Sequence, residues 1–137
     1  MIVFDTDVIS YTMRARPPVD LLRRLAAIEP ADQAITAITV GELIYGACRS
    51  DKRERLLEAI DNLVLPNIAV LPFDEHAARI YGELRARLEA AGTPVSEPDL
   101  RIAAITRSRG ATLATGNTRH FEMIPSLAIE NWLADSR

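Results

Sequence analysis

The sequence has only one cysteine, Cys48, so an internal disulfide is excluded and a reducing cytoplasm is the expected location. No apolar run approaches the roughly 20 residues that a helix needs to cross a bilayer. The N-terminal residues also lack the charged segment, apolar stretch and small-residue cleavage site of a secretory signal. We therefore expect a cytoplasmic protein with no membrane association.

An excess of positive charge is also missing from the sequence. It contains 16 lysines and arginines against 19 acidic residues, and the formal net charge at pH 7 is −3. Lysine is nearly absent, since Lys52 is the only one. Arginine suits bidentate contacts to phosphate, but a GC-rich coding sequence produces the same bias, and we favour that explanation. The composition thus argues against a protein that holds nucleic acid through its overall charge.

Short apolar segments rich in β-branched residues alternate with amphipathic segments along the chain. The first kind predicts strands and the second predicts helices. Such alternation indicates a parallel sheet with helices on both faces. With 137 residues and no linker or repeat, residues 1–137 are predicted to form a single domain. The predicted strands are 2–4, 34–38, 68–73, 112–115 and 127–129, and the predicted helices are 6–16, 19–29, 39–49, 51–64, 74–91 and 98–109.

The first ten residues, MIVFDTDVIS, contain the first element of a predicted site. The apolar run 2–4 suits a strand buried on both faces, and Asp5 follows it directly. Because burying an unpaired carboxylate is costly, we expect Asp5 at the carboxyl edge of the sheet, where the edge opens to solvent and ligands bind. A purely structural interpretation is also open. In it, Asp5 ends the strand and Thr6 or Asp7 caps the next helix.

Three further polar positions follow predicted strands or begin predicted helices. Glu42 lies in TVGEL, where Thr39 and Glu42 also match a capping box. Asp99 follows Pro98 in a first helical turn, where an acid is commonplace. Asn117 lies in ATGNTRHF, where turn chemistry explains it equally well.

Together these positions predict a metal site. The strand ends and helix starts that carry them meet at one edge of a parallel sheet. Carboxylates crowded there repel each other, and a hard divalent cation with oxygen ligands relieves the repulsion. Zinc is not expected, because His76 is predicted on a helix face and His120 is predicted to stand alone.

Four motifs, FDTDVIS, TVGEL, PDLRIAA and ATGNTRHF, occur in an order and spacing that resemble the PIN-domain ribonucleases. The branch that the chain resembles most is the VapC-type toxins of bacterial toxin–antitoxin pairs. The resemblance covers essentially the whole chain and implies a three-layer α/β/α sandwich with a central parallel sheet of four to five strands.

The resemblance also implies the roles of individual residues. The acidic positions of the family match Asp5, Glu42 and Asp99, the implied ligands of Mg²⁺ or Mn²⁺. Asn117 matches a fourth catalytic position that is Asp in many members. Asp7 departs from the pattern, since many members carry Asn there, and it adds negative charge. The implied supporting residues are Thr6, Thr39 and Thr115.

The implied function is a Mg²⁺- or Mn²⁺-dependent endoribonuclease that hydrolyses phosphodiester bonds of RNA in the cytoplasm. The implied partners are a cognate antitoxin, whose C-terminal segment lies along the toxin, and a second copy of the chain in a homodimer. An apolar groove between segments 19–28 and 39–49 is expected to hold the antitoxin. Arginines that are candidates for guiding the RNA backbone are Arg14, Arg16, Arg107 and Arg119.

Two alternatives remain open at this point. The pattern strand-Asp5-x-Asp7 also opens haloacid-dehalogenase-like phosphatases, but these need a later lysine, and Lys52 lies in the polar run SDKRER. The second alternative is a non-catalytic partner-binding module whose acids only cap helices.

Overall fold

A computed structural model describes residues 1–134 and has a five-stranded parallel sheet at its centre. The strand order is β3-β2-β1-β4-β5, and every neighbouring pair is parallel. This sheet confirms the predicted parallel architecture of four to five strands. The strands are β1 (Ile2–Phe4), β2 (Gln33–Thr36), β3 (Ala69–Leu71), β4 (Thr112–Thr115) and β5 (Ala128–Asn131).

Helices connect the strands and cover both faces of the sheet. The α-helices are α1 (Thr6–Thr12), α2 (Val19–Ala26), α3 (Ala37–Arg49), α4 (Arg53–Ala59), α5 (Glu75–Ala90) and α6 (Glu97–Ser108). A π-helical turn, Ile60–Val64, follows α4, and short 3₁₀ turns lie at Pro30–Asp32, Leu65–Asn67 and Thr118–His120. Within residues 1–134, no helix combines the length and the apolar character that crossing a bilayer requires.

Two hydrophobic clusters lie on opposite faces of the sheet because successive strand residues point to opposite sides. Val3 belongs to one cluster and Phe4 to the other, and both are fully buried. The result is the three-layer α/β/α sandwich that the family resemblance implies. The Val3 cluster includes Ala34, Leu113, Leu84, Ile102 and Ile105, and the Phe4 cluster includes Ile35, Ala114, Val8, Leu43 and Ile60.

The ends of several elements differ from the prediction. Strand β2 ends at Thr36, because the Thr36 hydroxyl accepts a hydrogen bond from the backbone N–H of Thr39 at 3.1 Å and thereby begins α3 at Ala37. Helix α1 ends at Thr12 instead of continuing to residue 16. The predicted helix 51–64 is α4 followed by the π-helical turn.

Candidate active site

A cleft of about 540 Å³ lies at the carboxyl edge of β1 and β4. Strand β1 connects to β2 on one side while β4 lies on its other side, so the cleft is at the point where the strand order reverses. Ligands of open parallel sheets bind at such points. All four predicted positions line this cleft, namely Asp5, Glu42, Asp99 and Asn117, together with Thr6, Asp7, Ser10, Tyr11, Arg14, Ser96, Pro98 and His120.

Asp5 connects β1 to α1 at the floor of the cleft. Its carboxylate caps α1 by accepting a hydrogen bond from the Thr6 N–H at 2.8 Å. The other oxygen accepts the hydroxyl of Thr115, at the end of β4, also at 2.8 Å. Asp5 lines the cleft at the carboxyl edge, where it was expected, but only 5% of the residue is exposed. Two hydrogen bonds compensate part of the cost of burying it.

The surroundings of Asp5 disfavour its charged form. Burial is the largest cause, and the negative charge of Asp7 is the next; together they raise the pKa of Asp5 to about 7. The hydrogen bonds from Thr115 and from the Thr6 backbone oppose this shift, while the charge of Asp99 adds to it. A cation beside Asp5 would favour its charged form and remove this cost.

Glu42 lies on α3 and reaches the cleft through a pair of threonines. The Thr6 hydroxyl is 2.6 Å from Oε1 of Glu42 and 3.1 Å from the hydroxyl of Thr39. The residue that caps α3 is Thr36, so the interpretation of Thr39 and Glu42 as a capping box is wrong. The Glu42 side chain is therefore available to the cleft and does not cap its helix.

Asp7 and Asn117 join the first turn of α1 to the segment after β4. The Asp7 Oδ2 atom accepts hydrogen bonds from the Gly116 N–H at 3.0 Å and from the Asn117 side-chain amide at 3.1 Å. The Asn117 N–H donates to the Thr115 hydroxyl at 3.0 Å. Asp7, which stands where many family members carry Asn, thus holds the segment after β4 in place.

Asp99 stands in the first turn of α6, and His120 faces it across the cleft. The Ser96 hydroxyl caps α6 by accepting a hydrogen bond from the backbone N–H of Asp99. The carboxylate of Asp99 takes no part in this cap. The Nδ1 atom of His120 lies 3.2 Å from Oδ2 of Asp99, whose side chain is 21% exposed. The expectation that His120 stands alone is wrong. The feature of the sequence that indicates this contact is the position of His120 three residues after Asn117, within the motif ATGNTRHF.

The start of α6 is also tied to α5 by contacts that the sequence did not indicate. Glu97 accepts a hydrogen bond from the Tyr81 hydroxyl, and this bond lowers the pKa of Glu97. Arg85 of α5 and Arg101 of α6 each lie 3.4 Å from a Glu97 oxygen. The contacts of Glu97 with Tyr81 and Arg85 join the segment that carries Asp99 to α5.

The side chains of the cleft suit a hard cation with few protein ligands. The polar groups that line it are mainly carboxylate, hydroxyl and amide oxygens, and such donors prefer Mg²⁺ or Mn²⁺ over zinc. Within residues 1–134, no three His, Cys, Asp or Glu side chains are arranged as a complete metal-binding group. Mg²⁺ keeps several of its waters, so the oxygens that line one cleft can hold it without forming a closed cage. The residues present therefore fit the ion that the resemblance implies.

The fold and these motifs match known proteins over most of the chain. A protein of Salmonella typhimurium named tRNA(fMet)-specific endonuclease VapC is 36% identical over 130 residues, or 95% of this chain and 96% of that protein. Ribonuclease VapC2 of Haemophilus influenzae is 33% identical over 131 residues, which cover 96% of this chain and 97% of that protein.

Solved structures show the same similarity. The crystal structure of VapBC2 from Rickettsia felis, bound to a DNA fragment from their promoter, matches with a TM-score of 0.88 at 32% identity. The match covers 96% of this chain and 99% of that chain. The predicted resemblance to VapC-type ribonucleases is thus confirmed. The sequence profile of the PIN domain matches residues 2–125, and the chain belongs to the PIN domain family.

Proposed function

We propose that this PIN-domain protein is a Mg²⁺- or Mn²⁺-dependent endoribonuclease that acts in the cytoplasm as the toxin of a toxin–antitoxin pair. The observation that carries the proposal is the cleft itself. Asp5, Glu42 and Asp99 come from three separate parts of the chain, and all three line it. The similarity to proteins named as an endonuclease and a ribonuclease supports the hydrolysis of RNA as the reaction of this cleft.

In this proposal Asp5, Glu42 and Asp99 hold the ion. A bound ion would supply positive charge for the phosphate and would lower the pKa of the attacking water. The chain keeps the carboxylates oriented, since the Thr115 hydroxyl donates to Asp5 and the Thr6 hydroxyl to Glu42. Asn117 acts through Asp7, whose carboxylate it helps to hold.

The phosphatase alternative is not supported by the positions of its required residues. That mechanism needs Asp7 as an acid or base, yet Asp7 accepts hydrogen bonds from Gly116 and Asn117. Lys52 is exposed, precedes α4 and is not among the residues that line the cleft. The capping-only alternative also loses support, because Thr36 caps α3 and Glu42 does not.

Sequencing of RNA 5′ ends after induced expression tests the proposed activity, with Glu42→Gln as the matched variant. We expect the native protein to produce new 5′ ends and the Glu42→Gln variant to produce almost none. Gln keeps an acceptor for the Thr6 hydroxyl, so the fold is preserved while the charge is lost. Transfer RNA is the first class to inspect, because the Salmonella relative is named for tRNA(fMet). Equal 5′ ends from both proteins would exclude Glu42 as a ligand.

We also propose a cognate antitoxin whose apolar segment docks on α2 and the π-helical turn. Val19 and Leu22 of α2 are exposed, and so is Leu63 of the turn. A neighbouring cavity of about 160 Å³ has mainly apolar lining residues, which include Ile9 of α1, Leu25 of α2 and Leu63 of this turn. The groove expected between segments 19–28 and 39–49 is less suitable, because Leu43 and Ala47 are buried in the core of the chain.

The acidic cleft suggests how such a partner inhibits the enzyme. A partner arginine that pairs with Asp99 or Asp5 would occupy the place of the cation. We expect co-expression with a small neighbouring reading frame to relieve toxicity and to yield a co-purifying complex. Excess Mn²⁺ should partly restore ribonuclease activity to that complex. If the protein encoded by the neighbouring reading frame neither binds this chain nor relieves its toxicity, the proposal is contradicted.

A homodimer remains a proposal that rests mainly on the family resemblance. Leu43 of α3 and Ile60 of the π-helical turn are buried within the chain and are not available to a second copy. Tyr45 of α3 is 62% exposed and is available to a second copy. Light scattering at micromolar concentration should give twice the chain mass of 15.1 kDa. A mass of one chain would contradict the dimer.

A further inference from the structure

We propose that Arg14 and Arg55 bind the RNA backbone on one side of the cut, in a trough that leads from the cleft along α1 to α4. This inference rests on the proposed ribonuclease function and adds a path for the substrate. We define the α1–α4 trough by the residues Met13, Arg14, Glu42 and Arg55.

The trough consists of cavities that share their walls with the cleft. A cavity of about 220 Å³ shares Ser10, Arg14 and Glu42 with the cleft. A larger one of about 660 Å³ shares Met13, Arg14 and Arg55 with that cavity. Arg14 therefore borders all three spaces. An RNA strand that leaves the cleft on this side meets Arg14 first and Arg55 next.

The charge of the cleft makes a separate cationic contact necessary. Asp5, Asp7, Glu42 and Asp99 line the cleft, and Arg14 is the single arginine among the residues described there. A cation at the carboxylates would offset their charge at the scissile phosphate. The neighbouring phosphates meet an acidic surface unless other positive groups accompany them. The trough supplies those groups. Of the two carboxylates that line it, Glu42 is a proposed ligand of the cation and Glu58 lines only the larger cavity.

Both arginines are held in place while their charge stays available. The Arg14 guanidinium lies 3.6 Å from the centre of the Tyr11 ring, and an Arg55 N–H donates to the Met13 carbonyl at 3.4 Å. In the described part of the chain, neither forms an ion pair with a carboxylate, unlike Arg79 of α5. A guanidinium has five N–H donors, so each keeps several for phosphate oxygens.

Equilibrium binding of labelled oligouridylate and oligoadenylate at several salt concentrations tests the trough. A chelator prevents cleavage, and gel electrophoresis verifies that the RNA stays intact. We expect R14Q/R55Q to reduce the slope of log affinity against log salt by about 1.4, because each phosphate contact on a single strand contributes about 0.7. The effect should be equal for both RNAs, since backbone contacts carry no sequence information. R14K/R55K should keep most of the native slope.

The matched control is R53Q/R109Q, which removes two exposed arginines that do not line the trough. It should keep the native slope. In cleavage assays R14Q/R55Q should raise KM on the order of tenfold with kcat nearly unchanged, as for contacts made equally before and in the transition state.

The outcomes separate this inference from the function on which it rests. If the native protein neither binds nor cleaves RNA, the proposed function fails and the trough fails with it. If the native protein cleaves RNA but R14Q/R55Q binds it with the native slope, only the trough is overturned. The same holds if R53Q/R109Q shows an equal loss, or if R14Q/R55Q weakens only the complex with the antitoxin.

Discussion

Replacing Asp99 with Asn is expected to lower kcat/KM for RNA cleavage by at least about 100-fold, the scale of losing one preorganised electrostatic group in an active site. The helix that carries Asp99 should survive, because its cap uses the backbone N–H of this residue and not its carboxylate. Asn also keeps an oxygen that can accept from His120. The loss of activity should therefore occur without loss of folded protein.

Asp32→Asn is the matched control for this variant. Asp32 is exposed and precedes β2, at the edge of the sheet opposite the cleft. Initial-rate measurements should give native kcat/KM for Asp32→Asn. An Asp99→Asn protein that retains native activity would remove Asp99 from the set of proposed ligands.

Replacing Asp5 with Asn is expected to abolish most activity and yet stabilise the protein without metal at neutral pH. The pKa of Asp5 is about 7 in the fold against 3.8 for the unperturbed group. Below about pH 4 both states hold the proton, and Asp5 carries no charge penalty. As the pH rises toward 7 the unfolded chain loses its proton first, so the stability of the native protein falls.

The size and pH range of this effect are both measurable. Urea unfolding in a chelator should show that Asp5→Asn is more stable at pH 8 by on the order of 2–4 kcal/mol, and that the gain vanishes near pH 4. Asn can still cap α1, and the Thr115 hydroxyl can rotate to accept from it. A gain that does not depend on pH would contradict the role of the Asp5 charge.

A second helix cap provides the control for Asp5. Asp74 caps α5 by accepting a hydrogen bond from the Ala77 N–H at 2.9 Å, but unlike Asp5 it is exposed. Asp74→Asn preserves this cap and should leave the pH dependence of unfolding unchanged. The comparison isolates the effect of burial from the effect of changing a capping residue.

The sheet and the residues of the cleft were predictable because they depend on local patterns. Because short apolar segments alternate with amphipathic ones along the chain, runs such as 2–4 are predicted to be buried strands. Parallel strands bring their carboxyl ends to one edge of the sheet. Asp5, Glu42, Asp99 and Asn117 follow from that geometry together with the family motifs. The ends of elements depend on single side chains, and the hydroxyl of Thr36 moved the start of α3.

Contacts between distant segments were not predictable from these patterns. The depth at which Asp5 is buried depends on how α1 and β4 pack, and its partner Thr115 is 110 residues away. The pairing of His120 with Asp99 and the bond between Tyr81 and Glu97 depend in the same way on the packing of separate helices and turns. Such contacts decide the electrostatics of the cleft, which is why its charge state required the structure.

Calorimetric titration of Mn²⁺ into the purified protein tests the central claim, that these carboxylates form a metal site. We predict measurable binding by the native protein and at least about tenfold weaker binding by Asp99→Asn, since even residues that only support metal ligands change affinity by 10–100-fold. Asp32→Asn should bind as the native protein does. Absence of Mn²⁺ binding by the native protein, or native affinity in Asp99→Asn, would contradict the claim.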